Sequence, residues 1–108
     1  MTKGSSDWID NVIERIHRCI ESRNFRLSKH AMDQKGNRDL SLPDVIQVLL
    51  NGRHEEDKTK FNNARQVWNY AIRGKTINGV EARVIVAIEE GMVIITVIRL
   101  TGKDKRRT

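Results

Sequence analysis

Val80-Glu81-Ala82-Arg83-Val84-Ile85-Val86-Ala87-Ile88-Glu89-Glu90-Gly91-Met92-Val93-Ile94-Ile95-Thr96-Val97-Ile98-Arg99-Leu100 is the stretch that decides the fold. Its first part alternates and places Ala82, Val84, Val86 and Ile88 on one face, the two-residue period of a strand. Glu89-Glu90-Gly91 makes a tight turn. Met92 to Leu100 is apolar on both faces over much of its length, which suits an interior strand covered by helices on one side. Upstream, Gly74 and Asn78-Gly79 are turn signals, and Arg65 to Arg73 alternates again. Gln66, Trp68, Tyr70 and Ile72 fall on one face there, with Val67, Asn69, Ala71 and Arg73 on the other. Arg53 to Lys58 is too polar for a central strand and reads as an edge strand or an excursion.

Before Gly52 the period is helical. Ile9, Val12, Ile13, Ile16 and Ile20 form one apolar stripe, with Ser6 or Asp7 as cap, Arg15, Arg18 and Glu21 on the solvated side, and Asn24 near the end. Phe25-Arg26-Leu27 alternates and can be a short strand, after which Ser28 offers the cap of a short helix from about His30 to Asn37. Ser41-Leu42-Pro43-Asp44 joins a hydroxyl cap, a first-turn proline and a carboxylate three residues on, so a helix runs from about Leu42 to Leu50 and stops at Asn51-Gly52. The pattern predicts an α+β domain: N-terminal helices packed on an antiparallel meander of three to four strands.

A chain of 108 residues fits a single domain, expected over residues 1–102, with a basic tail at 103–108 that carries half of the net charge of +6. The rest is only mildly basic, which makes phosphates plausible partners without requiring them. No apolar run reaches the ~18 residues of a membrane span, and Met1 to Asp10 lacks a secretory pattern, so a cytoplasmic location without membrane contact is expected. The lone Cys19 sits in the first helical stripe as core filler.

Chemistry concentrates in Ser28-Lys29-His30-Ala31 and in Arg38. Metal-independent RNA cleavage needs a base for the ribose 2′-OH, cations for the pentacoordinate phosphorus and a proton for the leaving oxygen. His30 as acid or base, with Lys29 and Arg38 on the phosphate, supplies those roles. On an unbroken helix His30 and Arg38 would stand about 12 Å apart along the axis and roughly 80° around it. The plainer role of Arg38 is an ion pair with Asp39 or Asp44. Tyr70, Arg73 and Arg99 are candidate nucleic-acid contacts, against core packing of Tyr70 beside Trp68 and Ile72 and cross-strand pairing of Arg83 and Arg99 with carboxylates. His17 and His54 have acidic neighbours but no metal-ligand spacing, and no phosphate-cradling glycine loop or nucleophile elbow is present, so neither metal nor cofactor is expected. Trp8, costly to leave in water, covers its own domain or a partner.

Ser28-Lys29-His30-Ala31, Arg38, Leu40-Ser41, Asp44-Val45, Tyr70 and the run Val93-Ile94-Ile95-Thr96-Val97 together resemble a small bacterial and phage family, a domain of unknown function that begins with a Lys-His-Ala motif. The similarity covers about Phe25 to Leu100. That family looks related to the RelE-like toxins, whose helices pack on an antiparallel sheet and which often cleave RNA. The resemblance implies a ribonuclease held in check by a protein antitoxin. The alternatives are a module of the same fold that binds nucleic acid or protein without cutting, and a regulatory protein that pairs through its first helix or a sheet edge. A homodimer through that helix fits each of them.

Overall fold

The computed structural model describes residues 8–37 and 40–100. The chain runs α1 (Val12–Glu21), β1 (Phe25–Leu27), α2 (Lys29–Asn37), α3 (Leu42–Asn51), β2 (Arg53–His54), a 3₁₀ turn (Glu56–Lys58), β3 (Lys60–Asn62), β4 (Val67–Lys75), β5 (Glu81–Ile88) and β6 (Met92–Arg99). The strands form one six-stranded sheet in the order β1-β6-β5-β4-β2, with β3 also on β4. All neighbours are antiparallel except β1, which runs parallel to β6.

The α+β class therefore stands, but the sheet is mixed and larger than the predicted meander of three to four antiparallel strands. The additional strands are two or three residues long. Phe25-Arg26-Leu27 and the start of Arg53 to Lys58 form strands as the sequence allowed, whereas Lys60-Phe61-Asn62 gave no sign of β3. β6 lies inside the sheet, between β1 and β5, and Met92, Val93, Ile94 and Val97 are buried in it.

One face of the sheet carries the core. Tyr70 and Ile72 of β4, Ala82, Val84, Val86 and Ile88 of β5, and Met92, Ile94 and Val97 of β6 meet Val12, Ile16 and Cys19 of α1, Ala31 of α2, and Val45, Val48 and Leu49 of α3. The β4 and β5 residues belong to the alternate sets read from the sequence, those of β6 break step at the Ile95 bulge, and the helical ones follow the 3.6-residue stripe. Burial pushes the Cys19 thiol pKa up, against a smaller opposing pull from Arg15.

Caps fix where the helices begin. At α3 the Ser41 hydroxyl accepts the Asp44 N–H at 3.2 Å while the Asp44 carboxylate accepts the Ser41 N–H at 3.1 Å, a reciprocal capping box. The caps proposed for α1, Ser6 and Asp7, lie outside the described residues; Asn11 occupies the N-cap position without a side-chain bond. The end of α3 differs from expectation in its cause. Gly52 has φ −83°, so it is no left-handed stop. A Cβ there would sit 2.5 Å from the Val48 carbonyl oxygen and 2.7 Å from that of Arg73, so glycine lets α3 press against β4. Asn51 seals the same junction: its side-chain amide donates to the Lys75 carbonyl at 3.0 Å and its carbonyl oxygen accepts the Lys75 N–H at 3.1 Å.

At the N-terminal edge, Trp8 stacks on its own domain. Its ring stands edge-on to Trp68 with centroids 4.9 Å apart and leans on Tyr70 and His54 at 5.7 and 5.4 Å. Burial holds the His54 pKa below its ordinary value, against a smaller pull upward from Glu56. Among the described residues no helix is long and apolar enough to cross a membrane.

Candidate functional site

Ser28 anchors the amino end of α2 to the sheet. Its N–H donates to the Ile94 carbonyl at 2.9 Å, its hydroxyl oxygen accepts the Ala31 N–H at 3.0 Å, and the hydroxyl donates to the Ile95 carbonyl at 3.0 Å. The last bond has a local cause. The β5–β6 register shifts so that Ile85 faces Thr96 but Val86 faces Ile94. Ile95 is the surplus residue of that bulge, and the Ser28 hydroxyl satisfies its carbonyl. Ala31, fully buried, packs the underside of the same turn into the core.

Lys29 and His30 are the first two residues of α2, and both are exposed. Neighbours on a helix diverge by about 100°, so their side chains fan out on either side of the first turn, whose N–H groups carry the positive end of the helix dipole. The Ala31 and Met32 N–H groups of this turn are taken by Ser28, so what the end offers a phosphate is the Lys29 cation, the His30 imidazole and the N–H groups before Ala31. Arg38, the third member of the expected set, lies outside the described residues.

The other candidates lie elsewhere. Tyr70 is 1% exposed and its hydroxyl oxygen accepts the Ile9 N–H at 2.9 Å, so its ring belongs to the core and offers no face on which a base could stack. Arg73 points to the opposite side of β4. There its Nε donates to Glu81 at 2.9 Å, its guanidinium also pairs Glu81 through Nη2, and Nη1 stands 3.7 Å from Glu55. Arg83, its cross-strand neighbour, donates through Nε to Glu55 at 2.6 Å. The Arg83 hydrogen bond holds the Glu55 carboxyl below its ordinary pKa, and the Arg73 hydrogen bond does the same for Glu81. Arg99 ends β6 opposite Ala82 and is half-buried.

Lys29 and His30 thus stand side by side in the chain at the start of α2 with their side chains diverging, and Tyr70 and Arg73 lie on opposite faces of β4. Among the described residues no group of three or more His, Cys, Asp or Glu side chains is placed to hold a metal ion. His17 instead bonds the Leu49 carbonyl through Nε2 at 3.2 Å, and His54 meets the Thr59 hydroxyl at 2.9 Å. Sequence reasoning missed Glu55 as the hub between Arg73 and Arg83, because it read Arg53 to Lys58 only as a polar edge strand or excursion. It also missed Arg23, Arg26 and Arg65, which surround one concavity although they are far apart in the chain.

No curated protein and no solved structure matches this chain. A family model does, and it begins within the strand that leads into Ser28-Lys29-His30 and runs to the end of β6. The chain belongs to the family described as Domain of unknown function (DUF4258), matched over residues 27–99.

Proposed function

We propose that this protein is a small RNA-directed domain of the RelE-like toxin kind, a metal-independent ribonuclease that works at the amino end of α2. The observation that carries the reading is the exposure of Lys29 and His30 on a helix start where Ser28 donates two hydrogen bonds to β6 and accepts one from Ala31. Such anchoring lets a helix terminus present donors and a proton-transfer group to one phosphate without reordering cost. His30 takes the proton of a ribose 2′-OH while that oxygen bonds to phosphorus. The bond from phosphorus to the 5′-oxygen breaks, water protonates the leaving oxygen, and His30 returns its proton to solvent. Lys29 and the helix N–H groups stabilise the charge on the phosphoryl oxygens, with Arg38 as the expected further cation. A protein antitoxin that covers this end of α2 would silence it.

The second reading is a binding module without cleavage. What favours it is that Tyr70 is buried and Arg73 is paired with Glu81 and Glu55, so neither is offered to a phosphate at the start of α2. The experiment is incubation of wild type and His30→Ala with RNA in EDTA, scored for fragments ending in 2′,3′-cyclic phosphate and, in parallel, for RNA retention. The nuclease reading expects cleavage that falls at least a hundredfold in the variant. Retention without cleavage by the wild type rejects it in favour of the binding module.

A further inference from the structure

Where the α1–β1 connection meets the β5–β6 turn, the surface opens into a concavity of about 720 Å³, within the size range of small-molecule sites. Arg23, Arg26 and Arg65 line it, above a floor that includes Val67 and Val93. Two glutamates, Glu89 and Glu90, also line it. Glu89 is taken by Arg65 at 2.5 Å. Arg23 and Arg26 are exposed and have no ion pair among the described residues.

The walls are held firmly. The Asn24 N–H donates to the Cys19 carbonyl at 2.8 Å, its carbonyl accepts the Met92 N–H at 3.0 Å, and its side chain donates to the Glu90 carbonyl at 3.3 Å. Gly91, at φ +147°, lies so close that any side chain there would collide with Asn24. Arg23 stands at the centre of this arrangement in an unusual backbone state. Its N–H donates to the Ile20 carbonyl at 3.1 Å while Asn24 reaches Cys19, which together make a Schellman turn after α1. The residue at that left-handed position is ordinarily glycine, yet here it is an arginine at φ 60°. The chain tolerates a strained backbone where glycine would relax it, and what it gains is a guanidinium at the rim of the concavity.

We propose that this concavity is a phosphate-ester site that takes one unstacked nucleotide, with Arg23 and Arg26 holding the phosphate. Arginine matches phosphate through paired N–H donors, and its planar face stacks on a base. Arg65 completes the site by exchanging Glu89 for the ligand. The inference is independent of cleavage at His30.

The test is calorimetric titration of wild type, Arg23→Gly, Arg26→Ala and Lys58→Ala with AMP, inorganic phosphate and a uridine hexanucleotide. AMP should bind the wild type, and each of the two arginine variants should bind it about tenfold more weakly. Arg23→Gly should at the same time raise Tm by about 4 °C, since glycine suits the turn; a residue serving only the fold would not move stability and affinity in opposite directions. Lys58→Ala, which removes an exposed cation outside both sites, should bind AMP as the wild type does. Tighter binding of the hexanucleotide than of AMP assigns the site to a strand, and the reverse order to a free nucleotide. Absence of AMP binding at millimolar concentration, unchanged affinity in both arginine variants, or inorganic phosphate binding as tightly as AMP would overturn the proposal.

Discussion

Glu55→Ala should lower the stability of the fold by about 2–3 kcal/mol at pH 7. The Glu55 side chain is 9% exposed, accepts the Arg83 Nε–H at 2.6 Å and lies 3.7 Å from Arg73 Nη1. Removing it leaves Arg83, 17% exposed, without the carboxylate it pairs, opposite an Arg73 that keeps only Glu81. A lost charge-assisted hydrogen bond is worth about 1.5–3 kcal/mol and a broken buried pair about 3–5 kcal/mol. The residual access of Arg83 to water puts this site toward the lower range. For a domain of this size the loss corresponds to a Tm drop of roughly 10–20 °C. The pH dependence has a definite sign. The folded state holds the Glu55 carboxyl below its ordinary value of 4.5, so the stabilisation is complete above that value and disappears as pH falls through the folded one. Urea unfolding of wild type and Glu55→Ala at pH 7 and pH 3 should therefore show a wide gap in stability that closes on acidification. A variant within about 0.5 kcal/mol of wild type at pH 7, the range of an ordinary surface change, would refute the reasoning. So would a gap that persists unchanged at pH 3.

Gly52→Ala should cost about 3 kcal/mol, because the new methyl meets two backbone oxygens that cannot give way, while Gly79→Ala, at φ +83° in open space, should cost only about 1 kcal/mol. Equal urea midpoints for the two variants would contradict the close packing of α3 on β4. Ser28→Ala should cost about 1 kcal/mol as a lost cap and should speed amide hydrogen exchange in the first turns of α2. Exchange unchanged there would show that the bond to the Ile95 bulge does not hold the helix start.

The long elements were readable because their periods extend over enough residues to average out exceptions. Ala82, Val84, Val86 and Ile88 alternate over a full strand, and Ser41-Leu42-Pro43-Asp44 carries its own cap chemistry. Of the short strands, Phe25 to Leu27 was legible and Arg53 to Lys58 only as an edge strand or excursion, while β3 was not read at all, since it owes its existence to β4 beside it rather than to its own composition. Parallel pairing of β1 likewise follows from where the chain lies when it reaches β6, which no local pattern encodes. At the candidate site, Lys29 and His30 were legible as neighbours in sequence, and their exposure agrees with the cap at Ser28. The Glu55 ion pairs and the arginines around the concavity depend on contacts between distant segments: Arg65 meets Glu89 and Arg83 meets Glu55 only once the sheet has formed.

The pairing of β1 with β6 also sets an order of assembly. β5 and β6 can close on each other through a short turn, whereas Ser28 must find Ile95 across 67 residues of chain. Loop closure of that length is slow, and it comes late in a chain made from its amino end. Until it happens, the apolar stripe of α1 has no complete sheet to cover and the far edge of β6 lies open to other strands. Three residues of β1 then act as the clasp that shields this edge and docks α1 and α2 in one event. Changes at Phe25, Leu27 or Ser28 should therefore show themselves first in refolding rate and in association during refolding, before they are visible in the finished fold.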